Sequence, residues 1–439
     1  MQATATESVS AIQQLGYSIA GQQFDTDSPG FAEAIAWAHG AHHRPRCLCL
    51  RSDDRRGVEM YVARLGDGFI VKRMPNTGCR HAPECPSYEP PAEFSGLGQV
   101  LGSAIVEDPA TGETTLKLDF SLSRIAGRSS VPAAGSPSDK VATDGTRLSL
   151  RGLLHYLLDQ AELTRWHPGF AGKRSWAVVR KHLLLAAENK VTRGEALRAR
   201  LYIPEAFYVE EREAINGRRL AQWAPAVAVP GRPQRLMLLI AEIKEIVPAR
   251  YGYKAVIKHV PDQAFLIDRQ LYGRMGRRFE SELCWWGSAK NLHMMMIATF
   301  GVSAAGIPFI AEISLMPVTS LWLPVEDSFE QQLVDMLVKH DRRFVKALRF
   351  NVQSSEPMAS AVLTDSDPSP IGLYIDRHGG DVQNVERTGT DFESNCRSQL
   401  WLWNPAAGSI PPLPRKALHS PAAVDWSPEG ERSGLATKR

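Results

Sequence analysis

The chain has 439 residues, 44% of them hydrophobic and 23% charged, a soluble globular composition that excludes a collagen-like, low-complexity or disulfide-scaffold protein. Its length allows several domains. With 51 Lys and Arg against 48 Asp and Glu, the formal net charge of +3 excludes polyanion binding by bulk charge, so a local basic face would have to carry any such binding.

The N terminus, MQATATESVSAIQQLG, has neither a basic n-region nor an apolar h-region, so no secretory signal is expected and the setting reads as cytoplasmic. An amphipathic helix is predicted over residues 29–39, with Asp27 and Ser28 as capping candidates. Residues 58–65 and 69–72 have strand composition about the Gly66-Asp67-Gly68 turn, which predicts a hairpin. A second hairpin is predicted from 102–106 and 114–120, joined through Asp108-Pro109-Ala110-Thr111-Gly112.

Residues 129–146 are rich in Ser, Pro, Ala, Gly and Asp and read as a linker. Helices are then expected at 148–163, where Leu150, Leu153, Leu154, Leu157 and Leu158 form one stripe, at 174–190, and in a short segment over 192–201. From Pro233 the texture is α/β. Strands are expected at 235–243, 292–299, 307–315, 344–350, 361–363 and 371–375, with helices over 262–284 and 326–340. Residues 294–311 carry no charge, but Gly301, Gly306 and Pro308 interrupt them; two buried strands joined through a turn at 303–306 explain the run better than a membrane span.

The fold class is therefore α/β, or α+β overall, in five parts. These are an N-terminal β-rich zinc-binding domain (1–128) built on a zinc-stabilised β-hairpin module, the linker (129–146), a helical middle unit (147–232), a C-terminal mixed α/β domain (233–404) and a disordered tail (405–439).

Cys47, Cys49, Cys79 and Cys85 cluster, while Cys284 and Cys396 stand alone. A large chain in a reducing compartment does not rely on disulfides, so clustered cysteines point to a metal. In extended chain, side chains at i and i+2 share a face, which brings Cys47 and Cys49 to one ion. The hairpin reverses the chain and returns Cys79, His81 and Cys85 to the same end. Zinc takes four N or S donors in a tetrahedron with Zn–S of about 2.3 Å. Cys47, Cys49 and Cys85 are three of them; the fourth is Cys79 or His81.

Cys47-Leu48-Cys49, the strand pair ending in Lys72-Arg73-Met74-Pro75, and His81-Ala82-Pro83-Glu84-Cys85-Pro86-Ser87-Tyr88-Glu89-Pro90 resemble domain of unknown function family 1173. Arg165-Trp166-His167-Pro168, Ala249-Arg250-Tyr251-Gly252 and Arg343-Phe344-Val345-Lys346-Ala347-Leu348-Arg349 agree in character, so the resemblance runs from about residue 30 to 380. It implies a bacterial protein with a few N-terminal cysteines, of a kind often encoded on conjugative and integrative elements. It favours His81 as the fourth ligand and implies no activity.

The order of elements from Glu326 to Asp376 is similar to the core of restriction-endonuclease-like nucleases, whose carboxylates hold Mg²⁺. Here Met358-Ala359-Ser360 stands in the P-D place, and Asp365, Asp367 and Glu330 lack the spacing, so a degenerate, non-cleaving copy is expected. Glu242-Ile243-Lys244 is an isolated E-x-K that reads as a solvated strand end. No P-loop, dinucleotide fingerprint, nucleophile elbow or H-E-x-x-H occurs.

Arg165, Lys173, Arg174, Arg180, Lys181 and Lys190 decorate the helical unit with Trp166 and Trp176 between them, and Arg269, Arg274, Arg277 and Arg278 decorate the helix after Asp262. Positive faces contact phosphates and aromatics stack on unpaired bases. Of these, Arg165, Trp166, Lys173, Arg174, Arg180 and Lys181 form the expected interface. The leading expectation is a nucleic-acid-binding accessory protein of a mobile element with a structural zinc. Its partners are DNA or RNA and other proteins of the element, with no membrane. The alternatives are a metal-dependent nuclease and a protein-interaction scaffold.

Overall fold

The computed structural model describes residues 16–50, 57–65, 68–124, 145–289, 291–353, 356, 358–367, 370–377 and 399–417. The expected linker lies almost wholly outside these residues, as do Cys396 and the end of the tail.

The N-terminal sheet runs Gln22–Asp25, Gly16–Ile19, Arg46–Cys47, Val58–Leu65, Gly68–Arg73, with every neighbour antiparallel. The expected hairpin is its last pair, in register from Met60 opposite Arg73 to Arg64 opposite Phe69. The helix Phe31–Gly40 lays Ile35 and Ala38 on Ile19 and Val62. Its N-cap is Gly30 at φ 86°, not Asp27 or Ser28; Ser28 instead uses its hydroxyl to accept from the Asp25 backbone 2.9 Å away. The second hairpin forms between Ile105–Glu107 and Thr114–Leu116, and Lys190–Thr192 extends it in parallel.

The helices Leu150–Gln160 and Trp176–Ala186 are shorter than the apolar pattern suggests. Each begins at a serine, Ser149 or Ser175, whose side chain accepts from a backbone N–H in the first turn. The chain between Lys190 and Ala196 is a small hairpin, leaving only Leu197–Arg200 helical. This helical unit is not a separate body. One apolar core runs from Leu97 through Leu153, Leu157 and Leu183 to Met295, Val318 and Phe350.

The largest sheet closes on itself. Taken in chain order, its five long strands are Met237–Ala249, Gly252–Ile257, Val260–Ile267, Leu292–Val302 and Pro308–Thr319. The first pairs antiparallel with the second, and the second with the third. The third pairs in parallel with the fifth, at Leu266 opposite Phe309. The fifth pairs antiparallel with the fourth, which returns to the first. The helices Arg269–Arg278 and Glu280–Ser288 sit between the third and fourth strands, and Leu271, Met275 and Phe279 join the barrel interior. An order of 1-2-3-5-4 closing on 1, with a helix after the third strand, is that of the OB-fold barrel.

Alternate residues of the first, fourth and fifth strands face opposite sides, yet both sides are buried. Leu239, Ala241, Met294, Met296 and Leu315 fill the barrel, while Leu238, Ile240, Met295, Ile297 and Met316 pack on the helical unit. Burial on two faces produces the unbroken apolar run that mimics a membrane span. Among the described residues no helix is long and apolar enough to cross a membrane. The helical expectation over 262–284 is met for most of its length by Arg269–Arg278 and the start of Glu280–Ser288, but the range opens as strand, because Val260–Ile267 is the third barrel strand.

The last sheet runs Gln399–Trp403, Ile371–Ile375, Ala361–Leu363, Phe344–Lys346, Arg165–Trp166. The helix Ser328–Lys339 packs Leu333, Val334 and Leu337 against it. Its edge strand comes from the helical unit, so the boundary expected at residue 233 is crossed by strand pairing. Of the tail expected to be disordered from 405, residues 405–417 fall among the described residues and are ordered. Ile410 and Leu413 pack on this core, and Pro414 offers its carbonyl to Arg342 at 2.7 Å.

Candidate metal centre

Two limbs of chain meet at the end of the N-terminal sheet. Cys47 is held in its strand by pairing with Tyr17 on one side and Val58 on the other. Leu48 donates its N–H to the Gly16 carbonyl at 2.9 Å, which carries the extended chain on to Cys49. The second limb is a closed loop. Glu89 donates its N–H to the Gly78 carbonyl at 3.2 Å, and Cys85 donates to Ala82 at 2.8 Å. Side chains anchor the loop as well, through an ion pair between Arg73 and Glu89 and a hydrogen bond from Arg165 to the Tyr88 carbonyl.

Cys47, Cys49, His81 and Cys85 place one ligand atom each within 4.8 Å of all the others. The Cys47 and Cys85 sulfurs are 3.7 Å apart. His81 Nδ1 lies 3.4 Å from the Cys49 sulfur and 3.7 Å from the Cys85 sulfur. A tetrahedron with metal–S of about 2.3 Å and metal–N of about 2.1 Å has S···S edges of about 3.8 Å and S···N edges of about 3.6 Å. The observed separations fit those edges, and the four residues are close enough to hold a metal ion.

Backbone amides complete the surroundings. Ala82 donates its N–H to the Cys49 sulfur and Ser87 to the Cys85 sulfur, both at 3.4 Å, which favours the thiolate at each. The thiols perturb one another. The neighbouring Cys49 sulfur pushes the Cys47 thiol up to about 11, Cys47 and Cys49 drive Cys85 higher, and hydrogen bonds from Cys47 and Cys85 hold Cys49 well down. His81 is buried, and its Nε2 finds no partner among the described residues. Cys79, on the short helical turn Gly78–Arg80, stands outside the cluster, so the structure assembles the set that contains His81.

Several residues of the expected nucleic-acid face are engaged within the fold. Arg174 donates to the Leu163 carbonyl at 2.9 Å and stacks over Trp166 and Phe170. Arg180 donates to the Ile203 carbonyl at 3.0 Å, and Arg165 is bound to Tyr88. Trp166, Trp176 and Lys190 are buried. Lys173 and Lys181 alone of the six interface residues are exposed. The basic residues mostly satisfy carbonyls at element ends, a demand that composition does not reveal.

The carboxylates of the C-terminal sheet are also committed. Asp365 pairs with Arg342 at 2.9 Å and accepts from the Arg343 backbone at 2.9 Å. Glu330 pairs with Lys346 at 3.1 Å and with Arg377 at 3.3 Å. Glu242 is no solvated strand end, being buried with His293 at 2.7 Å and Lys258 at 2.8 Å. Sequence reasoning missed the second barrel strand and the exposed turn of Arg250 and Tyr251 before it. The alternation of Tyr253, Ala255 and Ile257 was a signal for that strand.

Residues 17–406 match the model of a family described as protein of unknown function (DUF1173). No curated protein and no solved structure matches the chain.

Proposed function

The chain belongs to the DUF1173 family, and we propose that within it this is a nucleic-acid-binding protein whose N-terminal module is stapled by a structural zinc ion. The observation that supports nucleic-acid binding is the closed 1-2-3-5-4 barrel. Barrels of this order offer the second and third strands and the adjoining loops to oligonucleotides or oligosaccharides. Architecture alone does not choose between these ligands. The side chains favour the polyanion, because Arg250 and Arg269 stand exposed at one rim and Arg277 on the adjoining helix.

The donor set supports the zinc assignment. Three thiolates and an imidazole suit a borderline-soft ion, and Cys47, Cys49, Cys85 and His81 Nδ1 would hold it. The ion would supply a cross-link between the two limbs. Four protein donors leave no coordination position for a substrate, so its role is structural.

In the mobile-element setting that the resemblance implies, such a protein would hold strands rather than cut them, since Asp365 and Glu330 are spent on Arg342 and Lys346. Fluorescence anisotropy of the full chain with single- and double-stranded oligonucleotides across a salt series tests the reading. Affinity should fall linearly with the logarithm of salt concentration. No binding to either at low salt would overturn it.

A further inference from the structure

Resting on the nucleic-acid reading above, we infer that the barrel rim formed by Arg250, Tyr251, Lys254 and Arg269 is a binding site for single-stranded nucleic acid, with Tyr251 as its base-stacking platform. Tyr251 is 81% exposed, an unusual position for a large aromatic ring. The Arg250 guanidinium stands over that ring, 5.2 Å from its centre. The pair presents a flat π-face with a cation beside it, which is the combination that binds an unpaired base and its phosphate.

The backbone holds this turn against the rest of the rim. Gly252 has φ +133°, and a Cβ there would lie 2.6 Å from the Ile267 carbonyl and 3.6 Å from the Arg269 nitrogen. The turn therefore presses onto the end of the third strand, where the exposed Arg269 opens the next helix. Tyr253 stacks on Tyr272 with ring centres 3.4 Å apart, fixing that helix to the second strand. Lys254 lies opposite Leu266, which is 41% exposed, on the outer face of the second and third strands.

Charge complementarity selects the occupant. Three cations, Arg250, Lys254 and Arg269, meet two nearby acids, Asp268 and Glu245. Asp268 uses its carboxylate to cap its own helix, accepting from the Leu271 N–H at 2.7 Å. Glu245 lies one strand away, opposite Val256. A duplex hides the base faces that Tyr251 would stack on, so the site takes a single strand.

The test is anisotropy of a labelled oligothymidylate with the full, zinc-loaded chain. Tyr251→Ala should weaken binding by about tenfold or more, whereas Tyr251→Phe keeps it, because the ring and not the hydroxyl stacks. Arg250→Gln and Arg269→Gln should each lower affinity and flatten the salt dependence. These side chains are exposed, so an unchanged thermal midpoint verifies the fold of each variant. Wild-type binding that Tyr251→Ala leaves intact would overturn the site and spare the nucleic-acid reading; a wild type that binds no oligonucleotide would overturn both. Equal wild-type affinity for duplex, or a loss seen only in Lys173→Gln/Lys181→Gln, would also overturn the site.

Discussion

The sulfurs of Cys47 and Cys85 stand 3.7 Å apart although 38 positions separate the residues in sequence. Sulfurs in a disulfide are about 2.0 Å apart, so this is no covalent pair, and the spacing is that of two ligands sharing an ion. Around them the buried apolar cluster is small: Cys47, Val58, Met60, Cys85 and Tyr88. Two of its five members belong to the candidate metal cluster, so on the proposed zinc reading loss of the ion should loosen this module.

Elemental analysis should accordingly find one equivalent of zinc, lost in Cys47→Ser and in Cys85→Ser. His81→Ala should lose it too and His81→Cys restore it, while Cys79→Ser retains it, since Cys79 lies outside the cluster. A chelator should lower the thermal midpoint of the wild type. A folded wild type without metal would refute the assignment.

Gly96 joins the N-terminal half to the chain that follows the strand Phe344–Lys346. Its N–H donates to the Leu348 carbonyl at 2.9 Å, and a Cβ would lie 1.9 Å from the Arg349 carbonyl oxygen. Backbone cannot yield as a side chain does. Gly96→Ala should therefore cost about 1–3 kcal/mol, read as a lower urea midpoint. An unchanged midpoint would mean that this contact is looser than it stands.

Asp365 and Arg342 form a pair whose side chains are 0% and 5% exposed. Removing one partner strands a buried charge, and such losses run to about 3–5 kcal/mol. Asp365→Ala should show a loss of that order in chemical denaturation. Mg²⁺ should leave the wild-type midpoint unmoved, because the carboxylate is already neutralised by arginine. A midpoint that climbs with Mg²⁺ would count for the nuclease alternative.

Lys190 is 3% exposed beneath the Tyr156 ring, its ammonium nitrogen 5.7 Å from the ring centre. Burial, then the nearby Lys72 charge, push it down to about 7, with Glu107 opposing. In an unfolded chain a lysine titrates near about 10.4, so between these values the folded state holds fewer protons. Its contribution to stability is present at high pH and lost as pH falls through about 7. Lys190→Met should thus stabilise the protein at neutral pH, with the gain shrinking toward pH 10. Urea midpoints measured across that range check the sign, and a variant less stable at pH 7 would contradict it.

Local pattern made some elements readable. The hairpin through Val62 and Val71, the helix bearing Leu153 and Leu157, and the paired apolar strands through Met296 and Leu315 all follow periodicities that the chain carries in short windows. The third barrel strand was not readable. Val260–Ile267 is half buried and runs directly into the helix Arg269–Arg278, so its strand period is lost in the helical one. The order of the tail to residue 417 was equally hidden, since Ile410 and Leu413 find their core only on a distant sheet.

For the metal centre, the sequence alone determined the donor types and the two limbs that carry them. An i, i+2 cysteine pair on extended chain, a hairpin and a second cysteine-bearing loop are local facts. Only the tertiary structure decided that His81 and not Cys79 meets the three sulfurs, because that depends on how the loop closes from Gly78 to Glu89. It likewise decided which basic residues stay exposed. Arg174 and Arg180 are consumed by carbonyls near in space, while Arg250 and Tyr251 are left standing on a turn that barrel closure holds at the surface. Partners of that kind are set by packing between distant segments, which no short window of sequence contains.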